Sequence, residues 1–511
     1  MKAEALSNAR TIRLHERDNV VIALDPVAAG EELESGIQAA SEIPALHKIA
    51  TRAISAGERI YKYGQRIGEA TADISVGEHV HVHNCDMTDL SRDYSFSTNV
   101  PQTELVEEAD RLSFEGFRRA DGRVGTRNFI AIVSSVNCSA TVAHAIARHF
   151  DRVGLDSYPT VDGVAAFTYS GGCSISPQGE AYALIQRTLA GYAKNPNVGG
   201  VLLLGLGCES LQLSRLMEDH ELHESERIKA LTIQDEGGTR AAIEVGIAAV
   251  EQLLEVAGGD CRETVPASEL VVGLQCGGSD GLSGITANPA LGVAVDLLVA
   301  QGGTAILSET TELYGAEHLL IERARSVDIG QAMSDRIDWW NDYTARNGET
   351  INSNPSPGNK AGGITTILEK SMGAQAKGGS TALNAVYHYA EPILERGLVV
   401  MDSPGYDPCA ATGQIAAGAN LICFTTGRGS AFGSKPAPTI KLATNSTLFE
   451  KQRDDMDINC GDIVTEGVSI EDKGREILVE ILSVASGKRT ASEEFGYGDH
   501  EFVPWNIGPT T

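Results

Sequence analysis

The sequence predicts a multidomain α/β protein: an N-terminal all-β module followed by two α/β domains with largely parallel sheets. Three observations carry this expectation. Residues 1–95 hold only short alternating runs between glycine turns. From residue 115 the pattern changes to buried apolar runs, each followed by a glycine turn and a helical period, the mark of strand–helix units. A length of 511 residues leaves room for two to four domains, each with its own core.

In chain order, the β-module's expected strands include Asp18–Leu24, Glu58–Gly64 and Val76–His83. Residues 96–114 are polar with a single proline and read as a linker. The first α/β domain is expected over residues 115–265. There Phe129–Val136 and Val201–Leu204 read as buried strands and Ser139–Phe150 as a helix. The second is expected over 266–511, with strands at Leu270–Leu274, Thr304–Leu307 and Leu421–Phe424. Open α/β sheets bind ligands at the C-terminal ends of their strands, so the residues just past each run are the candidates for function.

Hydrophobic residues make up 42% and charged residues 22%, which excludes wholesale disorder. The formal net charge of −28 repels nucleic-acid phosphates and anionic lipid, so neither is expected as a partner. The same charge repels an acidic small molecule, which would need a local pocket of Lys, Arg, metal or helix N-termini. The opening MKAEALSNARTIRL lacks the apolar core of a signal peptide, and no run approaches the length of a membrane span. The expected compartment is the cytoplasm. There the nine cysteines should be thiols, used for metal binding or for packing.

Four of them fall just past apolar runs. Cys138 follows Phe129–Val136, Cys173 ends the run from Val161, Cys208 follows Val201–Leu204, and Cys276 follows Leu270–Leu274. Cys138, Cys173 and Cys208 are equally spaced, about one strand–helix unit apart. Thiolates at such positions suit iron or an iron–sulfur cluster. Small buried hydrophobes are the plainer use of free cysteines. In the β-module His79, His81 and His83 alternate, with His81 and His83 on one face, and His15 and His47 belong to the same module. These imidazoles suit a divalent metal or substrate hydroxyls, or else form a solvated polar face.

The last domain supplies the loops. Gln275–Gly284 is a glycine-rich turn leading into a helix, where backbone N–H groups can cradle a carboxylate or phosphate. It is neither the dinucleotide fingerprint nor a P-loop. Lys360, Arg428 and Lys441 lie in or near further glycine loops and are candidates for gripping a carboxylate. Glu309 and Glu312, Asp457, and the pair Asp235 and Glu236 are candidate general bases.

Ten strings occur in order: HERDNV, HKIA, YKYG, GEHVHVHN, DGRVGTRN, GLGCE, CGGSDGLSGITANPALG, NPSPGNKAGG, TGRGS and MDIN. Together, from about His15 to about Asp462, the chain resembles the altronate/galactarate dehydratase family. GEHVHVHN, GLSGITANP, NPSPGNKAGGITT and Asn445 sit on the altronate side of that family. The Asp407–Gly413 stretch does not match as well and leaves the substrate open. The resemblance implies an SAF-type β-clip module and removal of water from an aldonic or aldaric acid to give a 2-keto-3-deoxy acid. It also implies a dependence on Fe2+, an iron–sulfur cluster or Mn2+, and a homodimer is the expected assembly.

On this reading Cys138, Cys173, Cys208 and Cys276, with His15, are the expected metal ligands. His47, His81, His83, Glu309, Lys360, Arg428 and Lys441 are the expected catalytic and substrate-binding groups. Galactarate dehydration, a sulfite-expelling lyase on a sulfonated hydroxy acid, and a non-catalytic sugar-acid sensor are the alternatives.

Overall fold

The computed structural model describes residues 10–87 and 93–507; the first nine residues of the opening segment lie outside them. The N-terminal module consists of two small sheets of short strands. One joins Thr11–Ile12, Val20–Ala23, Lys48–Ala50 and His79–Val80, and the other joins Arg59–Lys62, Gln65–Ala70 and Cys85–Asp86. Val20, Ile54, Ile60, Ile67 and Val80 fill the core between them. The strand expected over Val76–His83 shrinks to His79–Val80. The N–H groups of Asn84 and Cys85 both bond back to the carbonyl of His81, at 3.0 and 2.9 Å, and this turn ends the pairing.

The segment 96–114 is not a free tether. Its Ser97, Asn99 and Val106 N–H groups donate to the carbonyls of Ile321, Glu322 and Ala300, so it lies along the third domain. Its last residues open the strand Ser113–Arg118, which pairs antiparallel with Glu263–Pro266.

The second domain carries a parallel sheet of Phe129–Ser134 (β1), Gly163–Thr168 (β2), Val198–Gly205 (β3) and Ile228–Thr232 (β4), in the order β2-β1-β3-β4. The helices used below are Asn137–Val153 (α1), Glu180–Ala193 (α2) and Thr239–Ala257 (α3). The third domain holds seven parallel strands. These are Val271–Cys276 (β5), Thr304–Leu307 (β6), Leu383–Tyr387 (β7), Gly397–Met401 (β8), Leu421–Thr426 (β9), Thr439–Ala443 (β10) and Ile458–Asn459 (β11). Their order is β7-β8-β6-β5-β9-β10-β11. Its helices include Ala287–Ala300 (α4), Ile367–Gln375 (α5), Asp407–Ala416 (α6) and Ile470–Ala485 (α7).

Period-two alternation sorts these strands into layers. Ile130 and Ile132 of β1 pack with α1 and α3, whereas Phe129, Ala131 and Val133 join α2. The second of these cores continues through α6 into Ile306, Val399 and Ile422 of the third sheet. The opposite face of that sheet, with Val272, Leu274, Ala305 and Val400, packs on α4 and α7. The two α/β domains thus share one apolar layer. Strand order in the third sheet reverses beside β5: the chain leaves β5 toward β6 and leaves β9 toward β10. A crevice at the C-terminal ends of β5 and β9 is the expected ligand position for such topology.

A buried charged cluster beneath the β-module: the candidate active site

The glycine-rich loop after β5 and the loop after β9 interlock at that reversal. Gly277 N–H donates to Thr425 O and Gly427 N–H donates to Gly278 O, both at 3.1 Å. Asp280 fastens the pair: it accepts from Leu282 N–H, Ser283 Oγ, Thr444 Oγ1 and Asn445 Nδ2 at 2.9–3.1 Å. The β-module reaches into this framework. A side chain on Gly281 or Gly363 would collide with the carbonyl of Leu46, so the close approach of the two domains requires glycine at both positions.

Beside the loops, the ends of β5 and β6 bring together Cys276, Glu309 and Glu312, all 0–2% exposed. The Cys276 sulfur lies 3.6 Å from Oε2 of each glutamate. Two lysines from the α5 region face them. Lys377 Nζ is 3.0 Å from Glu309 Oε2, and Lys370 Nζ is 2.6 Å from Glu312 Oε1. Asn354 Nδ2 also donates to Glu312 at 2.8 Å. Asp407, the first residue of α6, is the partly exposed member. Its carboxyl fills the space a side chain at Gly277 would occupy.

These environments push the carboxyl groups apart. Burial raises the pKa of Glu309 against the pull of Lys377. Burial also works against the charge of Glu312, but Lys370 overrides it and holds Glu312 below the ordinary range. Burial, then the charges of Glu309 and Glu312, push Asp407 well above it. Burial likewise drives the Cys276 thiol upward, so it stays protonated. Two features mark Glu309. Its backbone is left-handed at φ 62°, and its Oε1 is buried with no hydrogen-bond partner. A non-glycine residue in that conformation is uncommon and clusters at functional sites.

The β-module supplies a second cluster, His47, His79 and His81. His47 Nδ1 lies 2.9 Å from His79 Nε2, and His47 Nε2 lies 3.3 Å from the Ala361 carbonyl of the third domain. The His79 and His81 rings stack at 5.4 Å and 12°. Burial first, and then the neighbouring Lys48 and imidazoles, lower His79 to about 4 and His81 to about 3; burial also lowers His47. All three are therefore neutral at pH 7. Directly below, Glu369 is shared by Lys48 at 2.8 Å and Lys62 at 2.9 Å, all fully buried. Burial lowers the pKa of Lys48, whereas for Lys62 the pull of Glu369 overrides burial and raises it. The segment 354–361 touches both clusters, Asn354 at Glu312 and Ala361 at His47.

Three family models match: "D-galactarate/Altronate dehydratase, C-terminal" over residues 267–510, "D-galactarate dehydratase/Altronate hydrolase, second domain" over 116–258, and "Altronate/galactarate dehydratase SAF domain" over 9–88. An altronate dehydratase of Bacillus subtilis (strain 168) is 39% identical over 94% of this chain and 96% of its own length. The chain belongs to the altronate/galactarate dehydratase family. Two relatives from Escherichia coli (strain K12) are each 37% identical: a galactarate dehydratase (L-threo-forming), over 98% of this chain and 97% of its own, and an altronate dehydratase, over 94% and 96%. The β-module is thus the family's SAF domain, as the ten strings implied, and the multidomain α/β architecture with parallel sheets is borne out.

Within this family site the expected residues divide. Glu309, His47 and His81 lie in the two clusters, and the His83 ring stands 5.3 Å from that of His79, on the rim. His79 is one of the alternating imidazoles of the sequence but is not among the expected ligands or catalytic groups; its i, i+2 spacing to His81 places both on one face. Lys370, Lys377 and Asp407 were also missed, because nothing local distinguishes a buried lysine or aspartate from a solvated one. Lys360 is half-buried and Arg428 exposed, in the loops around Asp280. Lys441 is committed elsewhere: its ammonium donates to Ser430 O at 2.9 Å and lies over the Tyr497 ring. Asp457 accepts the N–H groups of Lys441 and Ala491 and is a structural tie. Asp235 and Glu236 lie past β4, in the other sheet.

The four cysteines do not form one set. Cys276 belongs to the third sheet and is buried, whereas Cys138, Cys173 and Cys208 are exposed at the ends of β1, β2 and β3. Among the described residues, two groups of three or more His, Cys, Asp or Glu bring donor atoms within 4.8 Å of one another, and these three thiols are in neither. Strands 4.7–4.9 Å apart hold successive loop thiols at that spacing or more unless the loops fold together. His15 is exposed, and its Nδ1 accepts the N–H of Arg17 at 3.1 Å; it stands outside the imidazole cluster.

Proposed function

We propose that the protein is a hydro-lyase that removes water from a six-carbon sugar acid, with D-altronate as substrate and 2-keto-3-deoxy-D-gluconate as product. The observation that carries the chemistry is the carboxyl set at the end of β6 and the start of α6, with Glu309 and Asp407 held above the ordinary range and Glu312 below it, in a chain of this family. Dehydration must break the C2–H bond beside the carboxylate and expel the C3 hydroxyl. The first step builds a doubly negative enediolate that only cations can stabilise. Glu309, with an orphaned oxygen, takes the C2 proton. Asp407, held protonated, delivers a proton to the departing C3 hydroxyl, and the resulting enol tautomerises to the ketone. Arg428 and Lys360, with the interlocked loops, hold the substrate carboxylate.

The imidazole triad fits the divalent metal that the family resemblance implies. Its three rings are neutral, and His81 Nδ1 is buried without a partner. Such donors suit Fe2+ or Mn2+. In the other cluster Lys377 and Lys370 already engage one oxygen each of Glu309 and Glu312. His47, His79 and His81 would hold the ion, which when bound supplies a Lewis acid for the substrate's oxygens, and His83 borders it. A second reading places iron on Cys138, Cys173 and Cys208. It is favoured by their touching loops: Asn137 N–H donates to Gly171 O, and Ser210 N–H donates to Cys173 O. A homodimer in the cytoplasm completes the proposal. The nine cysteines are all unpaired, in keeping with a reducing compartment, and among the described residues no helix is long and apolar enough to cross a membrane.

The test is anaerobic assay with Fe2+ on D-altronate and galactarate side by side, following 2-keto-3-deoxy acid. Turnover of D-altronate alone is expected. Turnover of galactarate alone would move the protein to the other branch of the family. Binding of either compound without turnover would turn the reading into a sensor.

A further inference from the structure

At the other edge of the two α/β domains lies a cleft of about 970 Å³. It opens where β3, β4 and β5 begin, at Val198, Ile228 and Val271, and its far wall is formed by Pro392–Leu394 and the end of α6. It is therefore separate from the candidate active site, which gathers at the opposite ends of the strands.

Its charge is the reverse of the chain's. Six Lys and Arg side chains line it against four carboxylates, in a protein of net charge −28. Part of that charge is already matched. Arg123 pairs with Asp121, Arg118 with Glu263, and Arg119 and Arg227 share Asp260. Arg187, in the middle of α2, and Lys194, just after its end, make no ion pair among the described residues. Arg187 Nε is buried and has no hydrogen-bond partner. Glu180 and Glu391 lie within range of its charge but not in contact, and burial dominates, pulling its pKa down. His220 lines the same cleft as both cations. Beside this unmatched charge the cleft is apolar, and Leu394 at its mouth is 84% exposed. A bare inorganic ion would leave that surface wet. An anion with an organic body covers both parts.

We propose that this cleft binds a small organic phosphate. Arg187, Lys194 and His220 hold the phosphate, and Val198, Ile228, Ile393 and Leu394 cover the organic body. Guanidinium and ammonium groups without carboxylate partners are the usual receptors for such oxygens.

The test is calorimetric titration of the full chain with AMP, pyrophosphate and citrate. Because it reads binding and not turnover, it stands apart from the dehydratase reading. AMP is expected to bind once per chain in the sub-millimolar range and to be displaced by pyrophosphate. Arg187→Gln with Lys194→Gln should weaken AMP at least tenfold at an unchanged melting temperature. Leu394→Ser, on the exposed rim and safe for folding, should weaken AMP and leave pyrophosphate unchanged. Binding of citrate but of neither phosphate compound would overturn the assignment. So would full AMP affinity in both variants, or no binding of any probe at about 10 mM.

Discussion

The second and third domains use the same device with opposite results. Both are parallel sheets, and both place chemically able side chains at strand C-termini. At the ends of β1, β2 and β3 stand three exposed thiols, Cys138, Cys173 and Cys208. At the ends of β5 and β6 stand a thiol and two carboxylates, at most 2% exposed, matched by two buried lysines and bordered by Asp407. The difference is a roof. The SAF domain and the segment 354–363 close over the third sheet, and among the described residues no element covers the three thiols of the second sheet. Removal of water strengthens every charge interaction beneath it and separates carboxyl groups that would titrate alike in solvent. Position at a strand end is therefore not enough to make an acid–base pair, and burial supplies the rest.

The strongest test of this contrast is Glu309→Gln. It should lower kcat at least about a hundredfold, while far-UV circular dichroism stays native. Near-full turnover would remove the third sheet from the chemistry. Next comes metal retention, read by elemental analysis after gel filtration: His79→Ala should lose bound iron and Cys208→Ser should keep it. The reverse pattern would hand the metal to the exposed edge of the second sheet.

The roof itself is tested through Glu369→Gln, which leaves Lys48 and Lys62 buried without their carboxylate. Urea unfolding should show a loss of about 3–5 kcal/mol, partly restored by adding Lys48→Met. The pH dependence has a fixed sign. Burial opposes the charge of Glu369, but Lys48 and Lys62 hold its folded pKa below the ordinary value of 4.5. Its contribution is complete above that value and is lost as pH falls through the lower folded one. Catalysis runs the other way: Asp407 must stay protonated, so kcat falls as pH rises through its raised pKa, and Asp407→Asn should abolish that alkaline limb. The smallest effect is expected from Lys441→Met, within about twofold in kcat/KM, because its ammonium is engaged by Ser430 and Tyr497.

Much of this was legible from the chain. The switch from short alternating runs to strand–helix units located the SAF domain and both parallel sheets. Apolar runs such as Phe129–Ser134 are strands because they are buried on both faces, and that signal is local. Glu309 was also reachable, since it lies just past β6. The imidazole triad was half visible: alternation pairs His79 with His81, but the turn at His81–Asn84 and the approach of His47 from another loop are long-range outcomes.

Local pattern thus determined where the strands lie, which loops are glycine-rich, and, through ten ordered strings, the family. Tertiary structure decided what a given charge does. Lys48, Lys62, Lys370 and Lys377 read as ordinary surface lysines, and each is buried on a carboxylate far away in sequence. Lys441 stands beside the family's loops, yet packs on the C-terminal segment. Burial is a property of the assembled layers, and in an interior that excludes water it sets both the protonation state and the partner of each ionisable group.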